Sequence, residues 1–417
     1  MTLAEKVSPS GIAAEARPLR ACMLAYTFYE GDGRVMRYAQ ALVNSGAEVD
    51  AITLGRHNQP SQARIDGVDV YRIQRRRKNE HGQFAHFFRV LGFLLRSFGH
   101  VTARHLRRPY DVIHVHSVPD FEVFATGIAK LLGAKVILDI HDLVPEFYAA
   151  KFSMPERSLA VRILKLIEKS ASAFADHVII ANDLWLETII GRSVDRGKCT
   201  AFINYPDLDV FRRSLRTVRD DGEFVLIYPG SLNWHQGLDL AIQAFAIALR
   251  DAPGMRFHIY GEGSAKPDLE RLVIELGLSK RVFLHPPMPL REIAVVMANA
   301  DLGVVPKRND SFGNEAFSTK TLEFMALGVP VLIADTRIDR HYFNDTLVAF
   351  FKSGDRQALA AAMSEAYHDR LALARRADRA VLYAEQNAWG VKSPLYLALV
   401  RQLVGGRPTQ AEPGKPR

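Results

Sequence analysis

The strongest constraint on the fold is a rhythm in the chain. Short apolar, β-branched runs alternate with amphipathic stretches of helical period: CMLAY, starting at Cys22, is followed by VDAITL, VDVYRI, DVIHVH, KVILDIHD and HVIIA. Runs that are apolar throughout suit a parallel sheet whose crossover helices cover both faces. After the charged, turn-prone stretch RRSLRTVRDDGE the rhythm restarts with FVLIYPG, MRFHIYGEG, RVFLHPP, ADLGVVP and PVLIAD. Two such series predict an α/β chain of two doubly wound, Rossmann-like domains facing a central cleft. Ligands of such sheets lie beyond the carboxyl ends of the strands, so residues at those ends are the first candidates for a site.

The expected organisation is a flexible polar N-terminus over 1–18, a first domain over 19–210 and a second over 211–385. A helix over 386–404 is expected to cross back to the first domain, and 405–417 reads as a disordered tail. The two cysteines, Cys22 and Cys199, offer neither a disulfide framework nor a zinc spacing, which fits a reducing compartment. No run of about 18 apolar residues occurs, so a cytoplasmic protein is expected. The formal charge is +8, yet residues 72–108 alone carry ten Lys or Arg and one acid, Glu80. The basicity therefore belongs to one segment and implies a local anionic partner.

The segment NEAFSTKTLEFMALGVPVLIAD carries the most chemistry. A helix from about Thr319 to Leu327 is marked by Ser318 as N-cap and by Gly328 and Pro330 beyond its end. Its free amides at Ser318 and Thr319, its positive dipole end and Lys320 in its first turn suit a diphosphate. Glu323, one turn on, can accept hydrogen bonds from sugar hydroxyls, and Glu315 precedes the helix.

Glu315 and Glu323, separated by seven residues and followed by MALGVPV, resemble the acid pair of retaining GT-B glycosyltransferases of family four, the glycosyl transferases group 1. The resemblance runs from about Ala21 to Leu403. It implies the GT-B architecture, a nucleotide-diphosphate sugar as donor, a lipid-linked or saccharide acceptor, and retention of anomeric configuration. It places Glu315 beside the transferred sugar and Glu323 on the donor ribose. It also assigns His141, in DIHD at a strand end, a catalytic contact with the donor sugar. In YEGDGRVMRYAQAL, Gly31, Gly33 and Arg34 correspond to the family's loop at the cleft, where Gly33 permits close backbone approach to the donor and Arg34, at a helix start, is a cation aimed at it. Gly230 and Ser231 in YPGSLNWHQG, Gly261 in IYGEG, and Met288 in LHPPMP fall on its donor-binding turns. The chain departs from the pattern at Ser231 and Gln236, where the family commonly has Arg and Lys. No acidic metal-binding cluster stands at a strand end, so neither a metal nor another cofactor is expected. His114 and His116 lie on one face of an otherwise apolar strand, and His114 reads as a hydrogen-bonded structural histidine.

Between 72 and 108, Phe84, Phe87, Phe88, Leu91, Leu94, Leu95 and Phe98 recur at helical spacing, with Arg89, Arg96, His100 and Arg104 opposite. Such a stripe usually packs into a core. With Phe93 projecting among the arginines and the run Arg75, Arg76, Arg77 and Lys78 just before, the segment is expected to dock peripherally on an anionic membrane surface. No nucleic-acid-binding module accompanies the charge. Two further readings stay open: a sugar-nucleotide epimerase or hydrolase of the same architecture, and an inactive membrane-associated scaffold, the latter motivated by Ser231 and Gln236.

Overall fold

A computed structural model describes residues 17–76, 83–151, 154–155, 157–217 and 221–405. Two sheets form its frame. The first comprises β1 (Arg20–Phe28), β2 (Glu48–Gly55), β3 (Gln62–Ile65), β4 (Val68–Arg75), β5 (Val112–His116), β6 (Lys135–Ile140), β7 (His177–Ile180) and β8 (Cys199–Ala201), in the order β3-β4-β2-β1-β5-β6-β7-β8. Only β3 runs antiparallel, pairing with β4. The second comprises β9 (Phe224–Pro229), β10 (Met255–Tyr260), β11 (Val282–His285), β12 (Leu302–Val305), β13 (Val331–Ala334) and β14 (Ala349–Phe351), ordered β11-β10-β9-β12-β13-β14 and parallel throughout.

The strand order reverses between β1 and β5 in the first sheet and between β9 and β12 in the second. These two switch points leave crevices at the strand ends, and a cavity lies at each. The central strands are buried on both faces, as their near-continuous apolar sequences require. The chain returns to the first domain at its end: helix Trp389–Gly405 buries Tyr396, whose hydroxyl lies 3.0 Å from His114 Nδ1 and whose ring lies 4.5 Å from that of Tyr38.

The basic helix, Gln83–Arg107, differs from its sequence reading. Phe93 is fully buried and meets the Tyr26 ring edge-on at 5.1 Å, so it does not project among the arginines. The buried stripe is Val90, Phe93, Ser97, Val101 and His105, while Phe87, Phe88, Leu95 and Phe98 face outward. The apolar arc is wider than the contact with the sheet. Helical spacing reveals such an arc but not which part of it the sheet covers.

Candidate active site

The second-domain cavity measures about 420 Å³. Gly230, Ser231, Gly261, Met288, Thr319, Lys320 and Glu323, all singled out in the sequence, are among its walls. Two glycine turns make the space. Gly230 (φ 146°) and Gly261 (φ 154°) hold conformations that L side chains rarely adopt. A Cβ on Gly230 would meet Lys320 Cε at 2.4 Å, and one on Gly261 would meet the Gly230 carbonyl oxygen at 1.8 Å. The lysine thus crosses over bare backbone to reach the cavity.

Helix Thr319–Leu327 begins beside this floor and ends at Gly328 in the left-handed conformation. Ser318 holds the N-cap position, but its hydroxyl makes no capping bond and its buried Oγ has no partner. The amide end of the helix is therefore available to an anion. Burial lowers the Lys320 ammonium to about 8, against the pull of Glu323. Burial also raises the Glu323 carboxyl, with Lys320 and Arg37 opposing it. Ser231 and Gln236 are tied by Tyr228, whose hydroxyl donates to the Ser231 carbonyl oxygen (2.9 Å) and lies 3.0 Å from Gln236 Oε1.

Glu315 lies in the second-domain loop between β12 and helix Thr319–Leu327, against the first domain. Its carboxylate pairs with Arg337 (Oε1–Nη1 2.7 Å), and its backbone oxygen accepts from Asn182 Nδ2 of the first domain at 3.0 Å. The same loop seats Phe312 in the first domain's apolar cluster, 5.2 Å from the Phe147 ring and 5.9 Å from Trp185. Glu323 therefore faces the donor-side cavity while Glu315 is held at the seam.

Arg34 is placed otherwise than expected. Its side chain is 5% exposed and grips Asp139, which is fully buried, at two points; a further arm reaches the Phe202 carbonyl oxygen. The expectation that Arg34 presents a cation to the donor is corrected: the buried carboxylate two positions before His141 claims it. Gly33 opens helix Gly33–Asn44, whose first free amides are capped by the Asp32 carboxylate, and it lines neither cavity. Arg37 was missed. It lies one turn beyond Arg34, donates to Asn204 Oδ1 at 3.0 Å, and feels the charge of Glu323 across the cleft. Among the described residues it has no carboxylate partner, and neither has Lys320. The i, i+3 spacing of Arg34 and Arg37 was the available signal.

Asp139 is a hub. Its Oδ2 lies 3.1 Å from His141 Nε2, 3.2 Å from His116 Nδ1 and 3.7 Å from His114 Nε2. Burial would raise this carboxyl, but Arg34 and His141 hold it well below the ordinary range. Burial lowers His116, and it lowers His114 to about 3. His114, His116 and Asp139 bring ligand atoms within 4.8 Å of one another, the spacing of a metal set. However, Arg34 occupies both oxygens of Asp139, and the His114 and His116 rings stack at 4.2 Å rather than converge, so the group reads as an ion-pair network. His141 projects from it into the first-domain cavity of about 220 Å³.

Of the basic run, Arg75 and Arg76 are exposed, whereas Arg77 and Lys78 lie outside the described residues.

Comparison with known proteins follows this division into two domains. Residues 33–204 match the family described as glycosyl transferase 4-like domain, and residues 213–384 match glycosyl transferases group 1. The chain is similar to a D-inositol 3-phosphate glycosyltransferase of Thermomonospora curvata, at 27% identity over 334 residues, covering 72% of this chain and 73% of that one. In fold it is similar to sucrose-phosphate synthase from Thermosynechococcus elongatus, with TM-score 0.76 and 18% identity, over 93% of this chain and 100% of that one. It is also similar to Anabaena HepE solved with UDP and glucose, with TM-score 0.66 and 16% identity, over 92% and 99% of the respective chains.

Proposed function

As this chain belongs to the glycosyl transferases group 1 and has the GT-B fold, we propose that it transfers a sugar from a nucleotide-diphosphate sugar to a hydroxyl acceptor with retention of configuration. The carrying observation is the cavity floor: Lys320, the free amide end of its helix and Glu323 share one wall. An anion there meets a cation, a helix dipole and unpaired donors together. In this reading the diphosphate lies on that helix end, Glu323 holds the ribose hydroxyls, and Arg37 supplies the second cation that Ser231 and Gln236 do not. His141 and Glu315 flank the transferred sugar. Asp139 fixes the His141 ring, and the departing phosphate oxygen takes the acceptor's proton. Catalysis is then mainly positioning and stabilisation of the leaving diphosphate. The charge is assigned to protein groups, so turnover is expected to survive a chelator.

Calorimetry with UDP, GDP and ADP tests the reading. One of the three should bind, and Glu323→Gln should weaken it about tenfold, as expected when a charge-assisted hydrogen bond becomes a neutral one. Binding of none of them, or unchanged affinity in the variant, would overturn the assignment.

A membrane surface is the second partner in this reading. Phe87, Phe88, Leu95 and Phe98 stand exposed, as does Leu131 on the adjoining helix Gly127–Leu131, and helix Leu159–Phe174, which packs on the same segment Asp120–Thr126, exposes Leu159, Ile163 and Leu166. Basic Arg75, at the end of the strand that precedes the aromatic helix, and Arg76, just after it, are exposed. Apolar side chains near cations suit an anionic lipid interface.

A further inference from the structure

We propose that the first-domain cavity takes an acceptor that is uncharged at its reacting end, a sugar or polyol presenting hydroxyls, and disfavours one carrying a phosphate there. The inference rests on the glycosyl-transfer reading above and names the acceptor class of that site.

The cavity sits at the switch point beyond β1, β5 and β6, and its polar walls are Asp32, Asp142, His116, His141, Thr27 and Ser117. Among the described residues no Lys or Arg lines it. Arg34 is close enough for its charge to act on Asp142, but its guanidinium is committed to Asp139, the Phe202 carbonyl oxygen and Asn204. Turning it toward a ligand would strand a buried carboxylate. Arg56 lies over the Phe28 ring at 5.0 Å and Arg76 over the ring of Tyr26, itself a wall, at 6.0 Å, and neither arginine lines the cavity.

Two side chains of these walls carry an acceptor atom with no hydrogen-bond partner among the described residues. His116 is 2% exposed and its Nε2 has no partner, while its Nδ1 faces Asp139. With the proton on Nδ1 and directed at that carboxylate, Nε2 is left as an acceptor. Asp142 accepts no hydrogen bond from a described residue, and burial raises its carboxyl. As a carboxylate, Asp142 accepts only. Both groups therefore call for O–H donors. A polyol supplies several of them. A phosphate dianion supplies none and would stand beside Asp32 and Asp142 with no Lys or Arg among the described walls to offset the repulsion.

Saturation-transfer NMR on the full chain, with and without the nucleoside diphosphate it binds, decides between the classes. The probes are three pairs: glucose and glucose 6-phosphate, fructose and fructose 6-phosphate, and myo-inositol and inositol 3-phosphate. Each neutral member should bind about tenfold more tightly than its phosphate, and Asp142→Asn should weaken the neutral member and narrow the gap. Tighter or equal binding of the phosphates, binding of no neutral member, or a gap unchanged in the variant would overturn the proposal. The comparison of pairs on the unaltered protein does not depend on the variant folding. If no nucleoside diphosphate binds, the glycosyl-transfer reading fails. If one binds but phosphates are preferred, only the acceptor class fails.

Discussion

Arg34 and Asp139 form a two-point pair inside the first domain, Nε to Oδ2 at 2.8 Å and Nη2 to Oδ1 at 2.6 Å, with side chains 5% and 0% exposed. Arg37, one turn along the same helix, is half-buried and makes a single hydrogen bond, to Asn204. The two arginines should therefore separate by assay. Removing one partner of a buried pair leaves the other charge uncompensated, so Arg34→Ala should cost about 3–5 kcal/mol in denaturant unfolding. Arg37→Gln should cost little stability and weaken nucleoside-diphosphate binding about tenfold. Matching stability losses in the two variants would contradict this division of roles.

Lys320 should give donor binding a pH dependence of known sign. Burial lowers its ammonium to about 8, and a bound diphosphate favours the charged form and raises it again. The complex then holds the proton more tightly than the free protein. Affinity is full below pH 8 and falls, by up to about tenfold per unit, as pH rises through 8 toward the bound-state value. Titration of nucleoside-diphosphate affinity from pH 6 to 10 checks this, and Lys320→Arg should flatten the curve.

Phe312 ties the loop carrying Glu315 to the first domain, seated against Phe147 and Trp185. Phe312→Ala removes about 3–5 kcal/mol of burial from that seam. Because the seam joins two separately cored domains, the cleft should open and donor KM should rise. Small-angle scattering should show a larger radius of gyration in the variant, and an unchanged radius would mean that other contacts hold the cleft closed.

The exposed aromatic helix should bind vesicles containing anionic lipid and leave neutral vesicles in suspension. Each Lys or Arg near such a surface contributes about 1 kcal/mol, and salt weakens it as the Debye length falls below about 10 Å. Arg75→Glu with Arg76→Glu should reduce co-sedimentation, and Phe87→Ser with Phe88→Ser should abolish it. Neither pair should alter nucleoside-diphosphate affinity. Co-sedimentation independent of lipid charge would leave the patch without its assigned partner.

The two parallel sheets and the helix Thr319–Leu327 were legible in the sequence because their causes are local. Apolar runs with turn residues mark buried strands, and Ser318, Gly328 and Pro330 mark helix ends from within a few residues. The placement of Lys320 and Glu323 one turn apart on that helix was legible too, and both line the cavity. The roles of Arg34 and Arg37 were not legible. They share a helix face, and only the placement of Asp139, 105 residues from Arg34, decides which arginine is buried and which meets the cleft. The same holds for Phe93 and Phe87. Periodicity shows an apolar arc, but which part of it the sheet covers depends on how the helix is rolled against β4 and the segment Asp120–Thr126, a relation that only the packed structure fixes.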